Sequence, residues 1–168
     1  MQTYTGNRFY YPPHLRGNNT ISIGDIAHAL SNICRFGGHC PTFYSVAQHS
    51  VMVSFMVPPE HALAALLHDA SEAYLSDVVR PAKRMLPEYK QLEQEIHDQI
   101  AEHFGVDLNH PSIKEADNLA LYAEAKHFFG DVTDWCLDDF ECHVRITPVS
   151  PEDAKRMFLM RYEMLTSV

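Results

Sequence analysis

The chain has little of what would place it in several large functional classes. It has no CxxC pair: Cys34 and Cys40 are six residues apart, as are Cys136 and Cys142. That spacing suits no common zinc ribbon, so the thiols read as structural. Positive charge is scarce, with 13 Lys and Arg against 22 Asp and Glu, a formal net charge of −9. This excludes a protein that coats nucleic acid through clustered cations. It leaves room for a small phosphorylated ligand held by a metal and a few local cations. The opening "MQTYTGNRFYYPP" has neither the basic nor the apolar region of a signal peptide. No apolar run approaches bilayer length. With reduced cysteines, these absences predict a cytoplasmic protein with no membrane partner. Low-complexity runs, repeats and strand–helix alternation are also missing.

What remains is helical patterning over an ordinary globular composition, 46% hydrophobic and 21% charged. At 168 residues the expectation is a single domain over 1–168, with 1–20 as an N-terminal loop or edge ribbon rich in Tyr, Pro, Gly and Asn. The stretch "IGDIAHALSNICRF" sets Ile23, Ile26, Ala27, Leu30 and Ile33 on one stripe, and "GG" at 37–38 stops it. "SVAQHSVMVSFMV" begins with Ser45 and Gln48 in capping-box arrangement. "PPE" at 58–60 ends that helix and starts another, predicted to run to about Tyr74. A loop is expected around "SDVVRPAKRMLP". Then come the amphipathic helix "PEYKQLEQEIHDQIAEHFG", closed by Gly105, and "PSIKEADNLALYAEAKHFFG", with Pro111 just before a Ser cap and Gly130 after its end. The acidic loop "DVTDWCLDD" leads to a last helix capped by Ser150 with Pro151 at its first position. The fold class is all-α, five to seven helices.

Polar residues interrupt these apolar faces at particular places. "ALAALLHDASEAYLSD" begins with core-type Ala and Leu, then sets His68 beside Asp69, with Glu72 and Asp77 following. Buried charge is costly unless it is paired or bound to a metal. Neighbours such as His68 and Asp69 can both reach one ion only if a helix end lies close to it. His49 in "SVAQHSVMV" and Asp117 in "SIKEADNLALY" break apolar faces in the same way. Two imidazoles and two carboxylates suit Zn, Co, Mn or Fe, whereas Mg and Ca prefer oxygen alone.

The order H…HD…D over three helices, carried by "CRFGGH", "SVAQHS", "LLHDASEAYLSDVVRPAKR" and "KEADNLALYAEAK", resembles the HD-domain superfamily of metal-dependent phosphohydrolases. A lone "HD" dipeptide would mean nothing, but the ordered set is specific. The likeness runs from about Ile23 to Phe129 and is nearest to compact 5′-deoxynucleotidases and phage deoxynucleoside triphosphohydrolases, including those acting on dATP. The resemblance implies an HD-domain helical bundle and makes His49, His68, Asp69 and Asp117 metal ligands. It makes Glu72 the acidic residue that activates or positions water and Asp77 a carboxylate near the sugar and water. Arg35 and Lys83 become phosphate contacts. Phe36 stands where relatives put an aromatic, often Trp, against the nucleoside.

The chemistry suits these residue types on its own terms. A divalent ion lowers the pKa of water and polarises a phosphoryl oxygen, a nearby carboxylate takes the proton, and Arg and Lys meet phosphate. The expected function is phosphohydrolysis of a small deoxynucleotide, foremost a dNTP of dATP type. A 5′-deoxynucleotidase on dNMPs is the alternative, as are a phosphodiesterase or alarmone hydrolase on the same core and a non-catalytic sensor. Nucleic acid is not an expected partner, and self-association is left open. Blander readings stand beside these. Asp77 also suits a capping residue and Phe36 a core residue, while His39 suits either a phosphate contact or a turn cap. His97, His103 and His127 read as surface, and Phe158, Tyr162 and Leu165 as core.

Overall fold

A helix buried on all sides must satisfy its polar side chains internally. Such a helix, α2 (Val46–Ser54), stands at the centre of this protein, buried at every residue but Met52. The computed structural model describes residues 1–12, 19–132 and 144–167. The other helices are α1 (Ile23–Asn32), α3 (Ala62–Leu67), the single turns α4 (Glu72–Leu75) and α5 (Arg80–Lys83), α6 (Pro87–Phe104), α7 (Pro111–Phe129) and α8 (Pro151–Thr166). Among the described residues there is no strand, only the isolated antiparallel bridges Gln2–Arg8 and Cys34–Ser45. The protein is all-α.

The helix α2 packs on α1, α3, α7 and α8, and α8 also covers α1 and α3. Ile26, Leu30, Val46, Leu66, Leu67, Ile96, Ile100 and Phe158 are fully buried in one cluster, against which Tyr162 and Leu165 rest. The apolar stripe of α8 is therefore core, as its spacing predicts. Near the C-terminal half of α7 a smaller cluster joins Tyr122, Ala125 and Val132, with Phe36 and Phe129 against it. Among the described residues, no helix is long and apolar enough to cross a membrane.

Local signals decide most boundaries. The Ser45 side chain accepts from the Gln48 amide at 3.1 Å, half of the expected capping box. The other half is absent because Gln48 turns away, donating to the Thr147 carbonyl at 2.7 Å and accepting from the Val149 amide at 3.1 Å. Ser150 caps α8 by accepting from the Asp153 amide. Gly105, at φ 65°, closes α6 in the left-handed conformation that costs glycine least.

Four boundaries differ from expectation. The first helix ends at Asn32 rather than at "GG", because residues 33–35 extend to pair with 44–46; the Arg35 amide donates to the Tyr44 carbonyl at 2.9 Å and the Val46 amide to Ile33 at 3.0 Å. The helix expected to run to Tyr74 breaks after Leu67, where tight turns carry 68–71 into α4. The stretch "RPAK" forms the turn α5 instead of a loop, with proline at a permitted first-turn position. At α7 the cap is His110, whose ring accepts from the Ser112 amide, and Pro111 is the first helical residue. Residues 131 and 132 begin the acidic loop, whose remainder lies outside the described residues, as do Cys136 and Cys142.

The N-terminal segment does fold back as a ribbon, with the Phe9 amide donating to the Met1 carbonyl at 2.8 Å. It is fastened to α1 by buried Asp25, which accepts from the Thr5 amide at 2.7 Å and the Thr5 hydroxyl at 2.8 Å. Burial opposes the Asp25 charge, but these hydrogen bonds outweigh it and hold its pKa below the ordinary 3.8. A depressed carboxylate stabilises the fold above its unfolded pKa, and that contribution is lost as pH falls through the folded value. Asp25→Ala should therefore cost about 1–3 kcal/mol at neutral pH, and the difference from wild type should shrink below pH 4. Urea unfolding of both proteins across that range checks it; a difference independent of pH would remove the role assigned to the charge.

Candidate metal centre

The polar side chains of α2 show where the core stops being only a core. Ser50 donates to the Val46 carbonyl, Ser54 to Val51, and Gln48 is bound at both ends. His49 is fully buried, and its Nδ1 lies 2.7 Å from Glu124 Oε1, yet its Nε2 has no hydrogen-bond partner. His68 is built alike. It ends α3, donates from Nδ1 to the Ala65 carbonyl at 2.7 Å, and keeps a buried Nε2 without a hydrogen bond. That bond satisfies one of the carbonyls a helix end leaves open and aims the other nitrogen outward. It also answers how His68 and Asp69 can serve one point: the helix ends there.

Carboxylates converge on these two nitrogens. Asp117 Oδ1 lies 3.2 Å from His49 Nε2, and Asp69 Oδ2 lies 3.2 Å from His68 Nε2 and 3.7 Å from His49 Nε2. Ligand atoms of His49, His68 and Asp117 fall within 4.8 Å of one another. Two imidazoles whose Nδ1 protons are already engaged, facing carboxylate oxygens, form a donor set that could hold a metal ion. The charge balance agrees. Burial and Arg35 oppose a proton on His49, but Glu124 and Asp117 outweigh them and raise its pKa to about 9. Burial likewise works against charge on Asp69, yet His68, His49 and Arg35 hold its pKa low. The cluster attracts a cation, whether proton or metal.

Around this cluster stand the other residues singled out above. Glu72 opens α4 and is buried, with Oε2 unpartnered and Oε1 4.0 Å from Lys83 Nζ. Burial, with Asp69 and Asp77 nearby, raises its pKa well above 4.5. Asp77 is half-buried and its pKa is also raised, first by burial. Arg35 is buried; its Nε and Nη2 each lie 3.0 Å from Glu124 Oε2, and its Nη1 lies 3.8 Å from Asp69 Oδ2. Lys83 is held mainly elsewhere, 2.6 Å from Glu93 on α6.

Phe36 is half-buried at the edge of the smaller cluster. It packs edge-on to Phe129, with ring centres 5.2 Å apart, while the Arg35 guanidinium carbon sits 5.5 Å from its ring. Its φ of 55° is unusual for an aromatic residue, and Ser76, just before Asp77, has φ 74°. Such conformations persist only where surroundings enforce them and often adjoin functional sites. His39 is exposed at the end of the turn 36–38, its amide donating to the Phe36 carbonyl at 3.2 Å. His103 and His127 are exposed as expected, but His97 is half-buried on α6, and burial lowers its pKa.

Glu124 is a participant that no motif announces, and Arg80, a cation close to the motif loops, has an unannounced partner. Glu124 is fully buried and receives His49, Arg35 and the Tyr44 hydroxyl. Its signal is present in "DNLALYAEA": a carboxylate between alanines, seven residues after Asp117, shares that residue's helix face. Arg80 binds Asp117 Oδ2 through Nη2 at 2.5 Å and Asn118 through Nη1 at 3.0 Å. Nothing local announces that pairing, which joins α5 to α7.

Comparison with known proteins places the chain among others of its kind. No protein-family model matches it. It is 33% identical over 125 residues to the uncharacterized protein RCAP_rcc00048 of Rhodobacter capsulatus, covering 66% of the chain and 64% of that protein. It is 39% identical over 173 aligned residues to the uncharacterized protein YfdR of Escherichia coli strain K12, covering 100% of the chain and 96% of YfdR. Agreement at that level over both whole lengths means that the chain belongs to the same family as YfdR.

Proposed function

We propose that this protein is an HD-domain phosphohydrolase that uses a divalent transition metal, Zn, Co or Mn, to hydrolyse deoxynucleotides. The observation that carries this reading is the pair of buried Nε2 atoms of His49 and His68, without hydrogen-bond partners and facing Asp69 and Asp117, together with the buried Glu72 carboxylate, whose Oε2 also lacks a partner. In such a site the bound ion supplies an acidified water and polarises the phosphoryl oxygen. Glu72, its pKa raised by burial and by Asp69 and Asp77, is the group placed to take the water's proton. Arg35, oriented from behind by Glu124, offers Nη1 to a phosphate oxygen. A nucleotide sensor would need the ligands but no buried acid–base group, so Glu72 favours an enzyme.

The family resemblance puts dNTP triphosphohydrolysis first, with dATP as substrate. One observation favours a 5′-deoxynucleotidase on dNMPs instead: Arg80 and Lys83 are both held by carboxylates, so a triphosphate must break those pairs to use their charge. Phosphate and triphosphate release from dATP, ATP, dGTP and dAMP, each with Mn, Co or Zn, tests the function and separates the two readings. No release from any nucleotide with any of the three metals would overturn the enzymatic reading.

Sugar choice gives a further expected result. Phe36, wedged against Phe129 and Arg35, crowds a 2′-hydroxyl, and a buried hydroxyl left unpaired costs about 1–3 kcal/mol. Deoxyribose should be preferred to ribose by roughly ten- to hundredfold in kcat/KM, and Phe36→Ala should narrow the ratio. Equal rates on ATP and dATP would refute the steric argument.

A further inference from the structure

Glu124 lies behind the metal cluster rather than in it, and the groups that reach it are all donors. His49 Nδ1 meets Oε1 at 2.7 Å, Arg35 Nε and Nη2 meet Oε2 at 3.0 Å, and the Tyr44 hydroxyl hydrogen-bonds to the same carboxylate. Burial opposes its charge, but Arg35 and His49 outweigh burial and keep it ionised. The two residues it grips serve opposite charges: His49 presents a lone pair suited to a cation, and Arg35 presents Nη1, suited to an anion.

We propose that Glu124 is a positioning residue shared by both halves of the site, fixing His49 with its proton on Nδ1 and Arg35 with Nη1 forward, so that affinity for a divalent metal and affinity for phosphate depend on one carboxylate. The inference rests on His49 as a metal ligand and Arg35 as an anion contact, but not on nucleotide hydrolysis.

The physical reason is that a carboxylate only accepts, whereas an amide of the same shape accepts at one end and donates at the other. In Glu124→Gln the amide nitrogen must face one of two donors. Turned toward His49, it is satisfied only if Nδ1 becomes the acceptor, which moves the ring proton to Nε2 and removes the lone pair from the cation site. Turned toward Arg35, it sets N–H against N–H and displaces the guanidinium. Neither rotamer preserves both functions. A carboxylate that merely neutralised Arg35 in the core would leave the His49 tautomer alone, so the ring proton distinguishes positioning from filling.

The test uses the full chain, Zn²⁺ or Mn²⁺, and inorganic phosphate, with no nucleotide. By titration calorimetry, Glu124→Gln should weaken metal binding by about 10–100-fold, the usual effect of losing a carboxylate behind a ligating histidine, and phosphate binding should fall with it. Arg35→Met should weaken phosphate by about 10–100-fold for a charge-assisted contact, and by more than it changes metal affinity. In the zinc-loaded wild type, the His49 Nδ1 proton should give a hydrogen-bonded imidazole resonance, which Glu124→Gln loses if its amide faces His49 and keeps, at the expense of phosphate binding, if it faces Arg35. Unchanged affinity for both ions would overturn the proposal, as would retention of that resonance without a loss of phosphate binding. If Glu124→Gln does not fold, Glu124→Asp decides. Shortened by one methylene, it cannot reach both donors, so at least one affinity should fall; wild-type values for both would overturn the proposal. Failure of nucleotide hydrolysis with these ion affinities intact would instead count against the proposed function alone.

Discussion

Alanine at His68 or at Asp69 should leave a protein that carries no divalent transition metal and hydrolyses no nucleotide. His68 sits at the end of α3, where its ring closes the helix through Ala65 and its Nε2 faces Asp69 at 3.2 Å. Removing the ring deletes a nitrogen ligand and leaves two carboxylates and one imidazole, a set softer metals hold much less tightly. Removing Asp69 deletes the carboxylate that approaches both imidazoles and leaves Arg35 Nη1 facing the cluster with less to oppose it. Asp117→Ala should act likewise, and it also frees Arg80. Metal analysis of the purified variants together with phosphate release provides the check. Undiminished metal content in both the His68 and Asp69 variants would sink the site. Normal metal content with no turnover would leave the metal elsewhere and the cluster without its assigned role.

Glu72→Gln should separate catalysis from stability in opposite directions. The substitution keeps the shape of the side chain and the metal ligands, so metal and nucleotide should still bind. Turnover should fall by roughly 10²–10⁴, the worth of a positioned acid–base group. Stability should move the other way. Burial and the charges of Asp69 and Asp77 raise the Glu72 pKa, which means the folded state disfavours its ionised form. Ionising such a group at a pH above its ordinary value of 4.5 weakens the fold, and the loss stops growing only above the folded pKa. The neutral amide escapes that cost. The metal-free variant should therefore melt higher than metal-free wild type at pH 7, by about 2–4 °C for each kcal/mol relieved, and the gap should close as pH falls toward 4. Such a trade between stability and activity is expected where a site stores an unfavourable charge. Wild-type turnover in this variant would leave Glu72 a structural residue, and an unchanged melting point would remove the electrostatic account of its raised pKa.

The parts of this protein that depend on neighbours in the chain were legible in advance. Apolar spacing marks α1, α2, α6, α7 and α8, and Ser45, Ser150 and Gly105 mark ends, because caps and left-handed turns are made within a few residues. Two of the boundaries that differ from expectation share a cause. The break after Leu67 and the early end of α1 come from bonds that compete with helix continuation: the His68 ring on Ala65, and the pairing of 33–35 with 44–46. The first is local but invisible to a hydrophobic pattern, which reads "ALAALLHDASEAY" as one uninterrupted helix.

Sequence by itself determined which residue types interrupt apolar faces, and with them His49, His68, Asp69, Glu72 and Asp117 as the residues to watch, since a polar group in an apolar run must be satisfied somewhere. It could not say by whom. That Glu124 takes Nδ1 of His49 and two nitrogens of Arg35, that Arg80 pairs with Asp117, and that Lys83 turns to Glu93 are pairings across 75, 89, 37 and 10 positions of chain. Only tertiary structure decided them, because a buried charge is satisfied by whichever partner packing brings within about 3 Å. The same packing makes the last distinction. A core histidine becomes a candidate ligand when every other polar group on its helix has found a partner and its Nε2 has not.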